Sequence, residues 1–292
     1  MAAIEYFRFT AEAAVCTLGS SGQRQATTRH IPIFTGALRL AIFLDRAMRR
    51  TIKQYYDEPH LSSTRAILVN LDRDTIELDR TIAFPEGGGQ ESDTGTITSL
   101  RSGRSVRFIQ TRRVRCTPVR VSDSHRVLAG GIILHQVHSD DFTVMSGFEV
   151  GDEVRIDIND QRRQRLSTFH SASHVLYMGI AEVRPDLIDG ECNCHIREDQ
   201  ARFDFRTDTP ITQQERASMQ RIANQIIQRN SAIRVFADAD HPESRYWECE
   251  GFVIPCGGTH LERTGTIGEL RVQLRNLGRG KERVSCVVVQ AS

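Results

Sequence analysis

The chain has 292 residues, 39% of them hydrophobic and 26% charged, with a formal net charge of +1. This is a globular composition, large enough for one big domain or two of ordinary size, and it excludes a global field that would draw the whole molecule onto nucleic acid; any basic surface must be local. No run of 18 apolar residues offers a membrane span, and seven irregularly spaced cysteines without a signal peptide argue for reduced thiols in the cytoplasm.

Residues 1–47 differ from the rest of the chain. "TLGSSGQRQATTRH" is polar and flexible, and "ALRLAIFLDRAMRR" is a short basic amphipathic run. The segment is expected to be a poorly ordered appendage or the product of an upstream start codon, with Met48 heading the regular part. From 48 to 158, "TRAILVNL", "DTIELD", "GTITSL", "RSVRFIQ", "RVLAGGIILHQV" and "EVRIDI" are rich in β-branched residues and separated by Gly, Ser and Asp. Such regularly spaced short strands predict a small barrel or sandwich ending near Asp160.

The period then changes. Residues 161–182 carry Leu166, Phe169, Val175 and Leu176 without a proline, which predicts a helix entered through the Asn159-Asp160 cap. "ARFDF" reads as a strand. "TDTPITQQERASMQRIANQIIQR" reads as a second helix with a threonine start signal and a proline in its entry turn. "AIRVFA", "GFVIP", "ELRVQLR" and "RVSCVVVQ" are further strands. The expected class is α+β: a small N-terminal β-barrel over 48–158, then a helix pair on a mainly antiparallel sheet over 159–292.

Two features of the second part invite a metal. In "FHSASHVLY", His170 and His174 lie four apart and so share one helix face. In "PCGGTHLERTGTIGEL", Cys256 and His260 flank a glycine turn that lets a cysteine and a histidine converge. Each pair alone has an ordinary reading, as surface histidines or as a small buried thiol. Together they form a His/His/Cys/His set of a kind zinc accepts, either as a closed structural site or as a catalytic one with an open position.

Other stretches carry weaker signals. In "AFPEGGGQESDTG", Gly87, Gly88 and Gly89 allow close backbone approach or an anion nest, with Glu86 and Gln90 flanking; a tight loop capping the barrel is the plain alternative. Residues 101–121 hold seven arginines and no acid: Arg101, Arg104, Arg107, Arg112, Arg113, Arg115 and Arg120. That strip suits phosphate binding, or else a solvated barrel face. Arg275, Arg279, Lys281 and Arg283 form a shorter cluster, and "CNCH" at 192–195 has no matching partner pair and reads as incidental.

The ordered series "FPEGGGQ", "DTG", "HSASH", "CGGTH" and "TGTIGEL" resembles the alanyl-tRNA editing family, the editing domain of alanyl-tRNA synthetase and its freestanding AlaX-type relatives. The likeness runs from about Thr51 to Val289. Ala83-Phe84 stand where Phe-Tyr is common, and Ser171 and Ser173 where threonines are common; neither change touches the ligand pattern. The resemblance implies a zinc-dependent, ATP-independent hydrolase that acts in trans on mischarged tRNA(Ala), removing serine or in some members glycine. It implies one Zn2+ per chain on His170, His174, Cys256 and His260, and it marks the glycine-rich loop, Glu86 to Gly89, as a functional motif. Gln90, Thr168, Ser171 and Ser173 are then candidates to meet the serine hydroxyl that alanine lacks. A cytoplasmic monomer or homodimer is expected, with no membrane partner. A non-catalytic zinc module that binds RNA, or a zinc hydrolase of a small ester or amide, are the other readings of the ligand set.

Overall fold

The computed structural model describes residues 50–121, 126–188, 190 and 192–289; the expected appendage at 1–47 and its boundary at Met48 lie outside them. The first half contains β1 (Ile52–Lys53), β2 (Ser63–Leu71), β3 (Thr75–Leu78), β4 (Arg80–Thr81), β5 (Gly95–Ser99), β6 (Ser105–Arg120), β7 (Arg126–Val137) and β8 (Glu153–Ile158). Six of these close a barrel in the order β2-β3-β7-β6-β5-β8, while β1 and β4 form a short parallel pair. Period-two alternation builds it. Val106 and Phe108 of β6 and Val154 and Ile156 of β8 point inward, with Arg107 and Arg155 between them outside. Closure is tight at Gly95, where an added Cβ would sit 2.0 Å from the Asp157 carbonyl oxygen.

The second half begins one residue after β8. Helix α1 (Asp160–Val183) is capped by Asn159, whose side chain accepts from the Arg162 N–H at 3.0 Å. Strands β9 (Cys192–Ile196) and β10 (Ala201–Arg206) come next, then α2 (Gln213–Gln228), started by a capping box between Thr212 and Glu215. The chain continues through β11 (Ile233–Ala237), β12 (Arg245–Cys249), β13 (Phe252–Pro255), β14 (Leu270–Gly278) and β15 (Lys281–Val288). An antiparallel sheet of order β14-β15-β10-β9 carries both helices on one face, and β11-β12-β13 form a separate meander. The fold is thus α+β with a closed barrel. Strands β1, β4, β9 and β12 are not among the expected strands, β1 and β4 being too short for any period.

Two details show why α2 lies where it does. Gly179 of α1 meets α2 so closely that a Cβ there would be 2.8 Å from the Met219 carbonyl oxygen. Asn224 accepts from the Leu270 N–H at 2.8 Å and donates to the Leu270 carbonyl at 2.9 Å, and Gln220 accepts from Val272 N–H at 2.8 Å. Side chains of α2 therefore satisfy backbone groups on the outer edge of β14 that would otherwise invite another strand.

Buried polar contacts join the halves. Arg163 on α1 donates to Asp93, to the Ile82 carbonyl at 2.7 Å and to the Pro59 carbonyl at 3.2 Å, and both charged side chains are almost fully buried. The glycine-rich loop docks on the edge of β9: Ile196 N–H donates to the Gly89 carbonyl at 2.8 Å, and Glu91 N–H to the Ile196 carbonyl at 3.1 Å. These contacts bring the barrel loop to the helix that bears the histidines.

Candidate metal centre

One turn of α1 places His170 and His174 on a common face, directed at the loop after β13. In that loop the Cys256 N–H is tied to the Arg245 carbonyl at 2.8 Å, and the Leu261 N–H donates to the Ser171 hydroxyl at 2.9 Å. The Cys256-to-His260 turn is thereby clamped at both ends. One ligand atom each from His170, His174, Cys256 and His260 lies within 4.8 Å of all the others. The Cys256 Sγ is 3.3 Å from His170 Nε2 and 3.6 Å from His260 Nε2.

Gly258 makes this approach possible. A Cβ there would lie 2.1 Å from the His170 ring, so the glycine is needed for space beside the imidazole. The glycine triplet has a different reason. Gly87 and Gln90 exchange both backbone hydrogen bonds, at 3.1 and 3.0 Å, around Gly88 (φ +60°) and Gly89 (φ +82°). Two successive positive φ values make this a tight turn of the kind glycine favours. Gly89 also presses on β9, where a Cβ would be 2.5 Å from the Cys194 carbonyl oxygen. The close backbone approach expected of the triplet is thus to the chain itself, and the Gly87 and Gln90 N–H groups are engaged within the turn. Glu86 lies on the rim, accepting from the Gln110 amide at 2.8 Å.

Gln90 is fully buried behind His170. Its Oε1 accepts from the His170 ring nitrogen Nδ1 at 2.6 Å and from the Thr259 N–H at 3.0 Å, and its Nε2 donates to Thr259 Oγ1 at 3.0 Å. Ser167 donates to the same Thr259 hydroxyl at 2.9 Å. A proton on Nδ1 shared with Gln90 leaves the His170 Nε2 lone pair facing Cys256, the arrangement by which an outer partner fixes the tautomer of a metal-ligating histidine. The Gln90 amide is thus engaged behind the His170 ring. Thr168 donates to the Gln164 carbonyl at 2.8 Å and Ser173 to the His170 carbonyl at 2.7 Å. Both hydroxyls return to their own helix, the common state of such residues in a helix interior. Sequence reasoning misses Thr259 and Ser167, although Thr259 stands between two of the proposed ligands.

The electrostatics favour a cation. Burial, then His260 and His174, hold the His170 ring well below its usual range. Burial pulls His174 down to about 3, and burial with His174 also lowers His260. Three neutral imidazoles thus bring lone pairs together in a dry pocket. Burial pushes the Cys256 thiol up to about 12, so a proton leaves it only for a compensating positive charge. His174 decides the fit: both its ring nitrogens are buried without a hydrogen-bond partner, with Trp247 packed against the ring at 4.9 Å. Buried polar atoms are nearly always paired, and a metal ion would supply what His174 lacks. The donor set suits zinc. Cys192 and Cys194 line the inner side of β9 with thiols raised by burial and, among the described residues, join no such cluster.

The arginine strip is broken up by the fold. Arg101 is bound to Asp152 at 2.6 Å and Glu149 at 3.1 Å, Arg107 to Asp141 at 2.9 Å, and Arg113 to Glu243 and the Gly130 carbonyl. Among the described residues Arg104, Arg112 and Arg115 form no such ion pair, and all three are exposed. The absence of acids from 101–121 does not make an unbroken positive surface, since the loop before β8 and the loop before β12 supply the carboxylates.

A model of the "Threonyl and Alanyl tRNA synthetase second additional domain" matches residues 245–285, which hold Cys256 and His260. The chain is 29% identical over 231 residues to the alanyl-tRNA editing protein AlaX-M of Methanosarcina mazei, covering 72% of this chain and 84% of that protein. The chain is thus similar to an alanyl-tRNA editing protein over most of the length of both. It is also 28% identical over 257 residues to the alanine–tRNA ligase of Ignicoccus hospitalis, 81% of this chain but 26% of the ligase. To the ligase of Methanopyrus kandleri it is 28% identical over 237 residues, 74% of this chain and 23% of the ligase. The chain thus spans about a quarter of the length of the ligases it matches. Among the described residues no helix is long and apolar enough to cross a membrane.

Proposed function

We propose that this protein hydrolyses the ester of mischarged tRNA(Ala), releasing serine or glycine from tRNA in trans, without ATP and in the cytoplasm. The observation that carries the reading is the convergence of His170, His174, Cys256 and His260 on one point in a relative of the editing proteins. We assign these four side chains to one Zn2+. Bound there, zinc would supply Lewis acidity toward the ester or an anchor for the substrate's amino group.

The chain's own residues prepare the site. Gln90, held by Thr259, fixes the His170 ring and so ties the glycine-rich loop to the reaction centre. Ser171 holds the turn that carries His260. Burial keeps the histidines neutral and excludes water from the ligand side, which strengthens every polar interaction there. The two units, 48–158 and 159–292, act together because the barrel provides Gln90 and the second unit provides the ligands.

The test is deacylation of seryl-, glycyl- and alanyl-tRNA(Ala) by the purified protein, with zinc measured on the same sample. Loss of serine or glycine with alanine spared is the expected result. Stoichiometric zinc with no hydrolysis of any of the three would overturn it in favour of a zinc module that only binds RNA.

A further inference from the structure

The helices cover one face of the β14-β15-β10-β9 sheet; on the other, at the β9 edge, His195 meets Glu91 of the glycine-rich loop at 3.7 Å. Register sets what that outer face displays. Phe203 and Phe205 point inward, so Arg202 and Asp204 point outward, as do Arg283 beside Asp204 and Arg271, Gln273 and Arg275 on the edge strand. Asp204 is held by Arg283 at 2.6 and 2.7 Å. Arg202, Arg271 and Arg275, in contrast, form no ion pair among the described residues, and Arg271 is exposed. In the barrel the strip is divided: Arg101, Arg107 and Arg113 are bound to carboxylates, while Arg104, Arg112 and Arg115 form no ion pair among the described residues.

We infer that this outer sheet face is the surface on which the protein holds the sugar–phosphate backbone of a double-stranded RNA stem. The inference rests on mischarged tRNA being the substrate. Charge complementarity identifies the occupant: unpaired guanidiniums along neighbouring strands match rows of phosphates. The type of contact is set by what the face omits. Its outward positions carry no phenylalanine, tyrosine or tryptophan, and the imidazole among them, His195, lies at the β9 edge beside Glu91. Gln273 and Asn193 offer amides suited to ribose hydroxyls and phosphates. Such a face reads helix shape and charge and carries little sequence information.

The experiment measures binding of uncharged tRNA(Ala) and of a blunt RNA duplex across a salt series, for the full chain and two charge-reversal variants. One is Arg202→Glu/Arg271→Glu/Arg275→Glu and the other, from the barrel, is Arg104→Glu/Arg112→Glu/Arg115→Glu. Zinc content and melting temperature report folding, and Arg271→Gln/Arg275→Gln serves where the triple variant fails to fold. The sheet variant should lower the salt slope by about two to three for both RNAs, and the Gln pair by about one to two. Loss of slope in the barrel variant alone, or a sheet variant that changes only self-association, would overturn the inference. If charged tRNA is not deacylated by the unaltered chain yet the slope still falls, the hydrolase reading fails and the RNA face stands. If deacylation proceeds and the sheet variant leaves both slope and KM unchanged, only the face fails.

Discussion

Two fully buried histidines, one in each half of the molecule, show how differently the halves are completed. In the barrel, His135 donates from Nδ1 to the Ile76 carbonyl at 3.1 Å and accepts at Nε2 from the Thr81 hydroxyl at 2.9 Å. In the second half, His174 has no hydrogen-bond partner on either nitrogen among the described residues. Burial costs both rings their charge, with His135 pulled down to about 4 and His174 to about 3. Only the barrel returns the lost hydrogen bonds from its own chain. The barrel is finished as folded, whereas the pocket on α1 keeps its donor atoms for the metal ion proposed above.

The sharpest way to break this contrast is Cys256→Ala. It should abolish stoichiometric zinc and drop deacylation to background while the barrel stays folded, as read by zinc analysis, kinetics and circular dichroism. The satisfied side is tested next by Arg163→Ala, which strands Asp93 in the interior. Removing one partner of a buried pair costs about 3–5 kcal/mol, visible in denaturant unfolding. Zinc bound to the surviving fold should be unchanged.

His135 gives the contrast a pH dependence. Its folded pKa lies below the unfolded value of 6.5, so the unfolded state binds the extra proton between about pH 4 and 6.5. Stability should be full above that window and fall as pH drops through it, by up to about 3 kcal/mol from this residue. The measurement is the difference between wild type and His135→Gln across that range; equal slopes would remove His135 from the account. Gln90→Ala leaves the ligands in place but frees the His170 ring, and should weaken zinc binding about 10- to 100-fold by chelator competition. Thr168→Val and Ser173→Ala should change serine-over-alanine discrimination by less than about threefold, since both hydroxyls serve the helix backbone.

Local pattern determined much of this protein. Alternation fixed the barrel strands, because one face of each must be buried, and the Asn159 cap fixed the start of α1 to within a residue. The i, i+4 spacing and the Cys-x3-His turn made all four proposed ligands readable, since a ligand must share a face or a turn with its partner. What sequence could not reach lies between residues far apart in the chain. Tertiary structure alone turned Gln90 toward His170, 80 positions away, and gave Arg113 its carboxylate from Glu243, 130 positions on. It also divided the barrel strip, pairing Arg101, Arg107 and Arg113 with carboxylates from other loops, and left Arg271 and Arg275 without an ion pair among the described residues on the sheet's edge strand. Backbone geometry is set by neighbours, whereas the worth of a buried amide or a surface charge depends on which group the fold places opposite it.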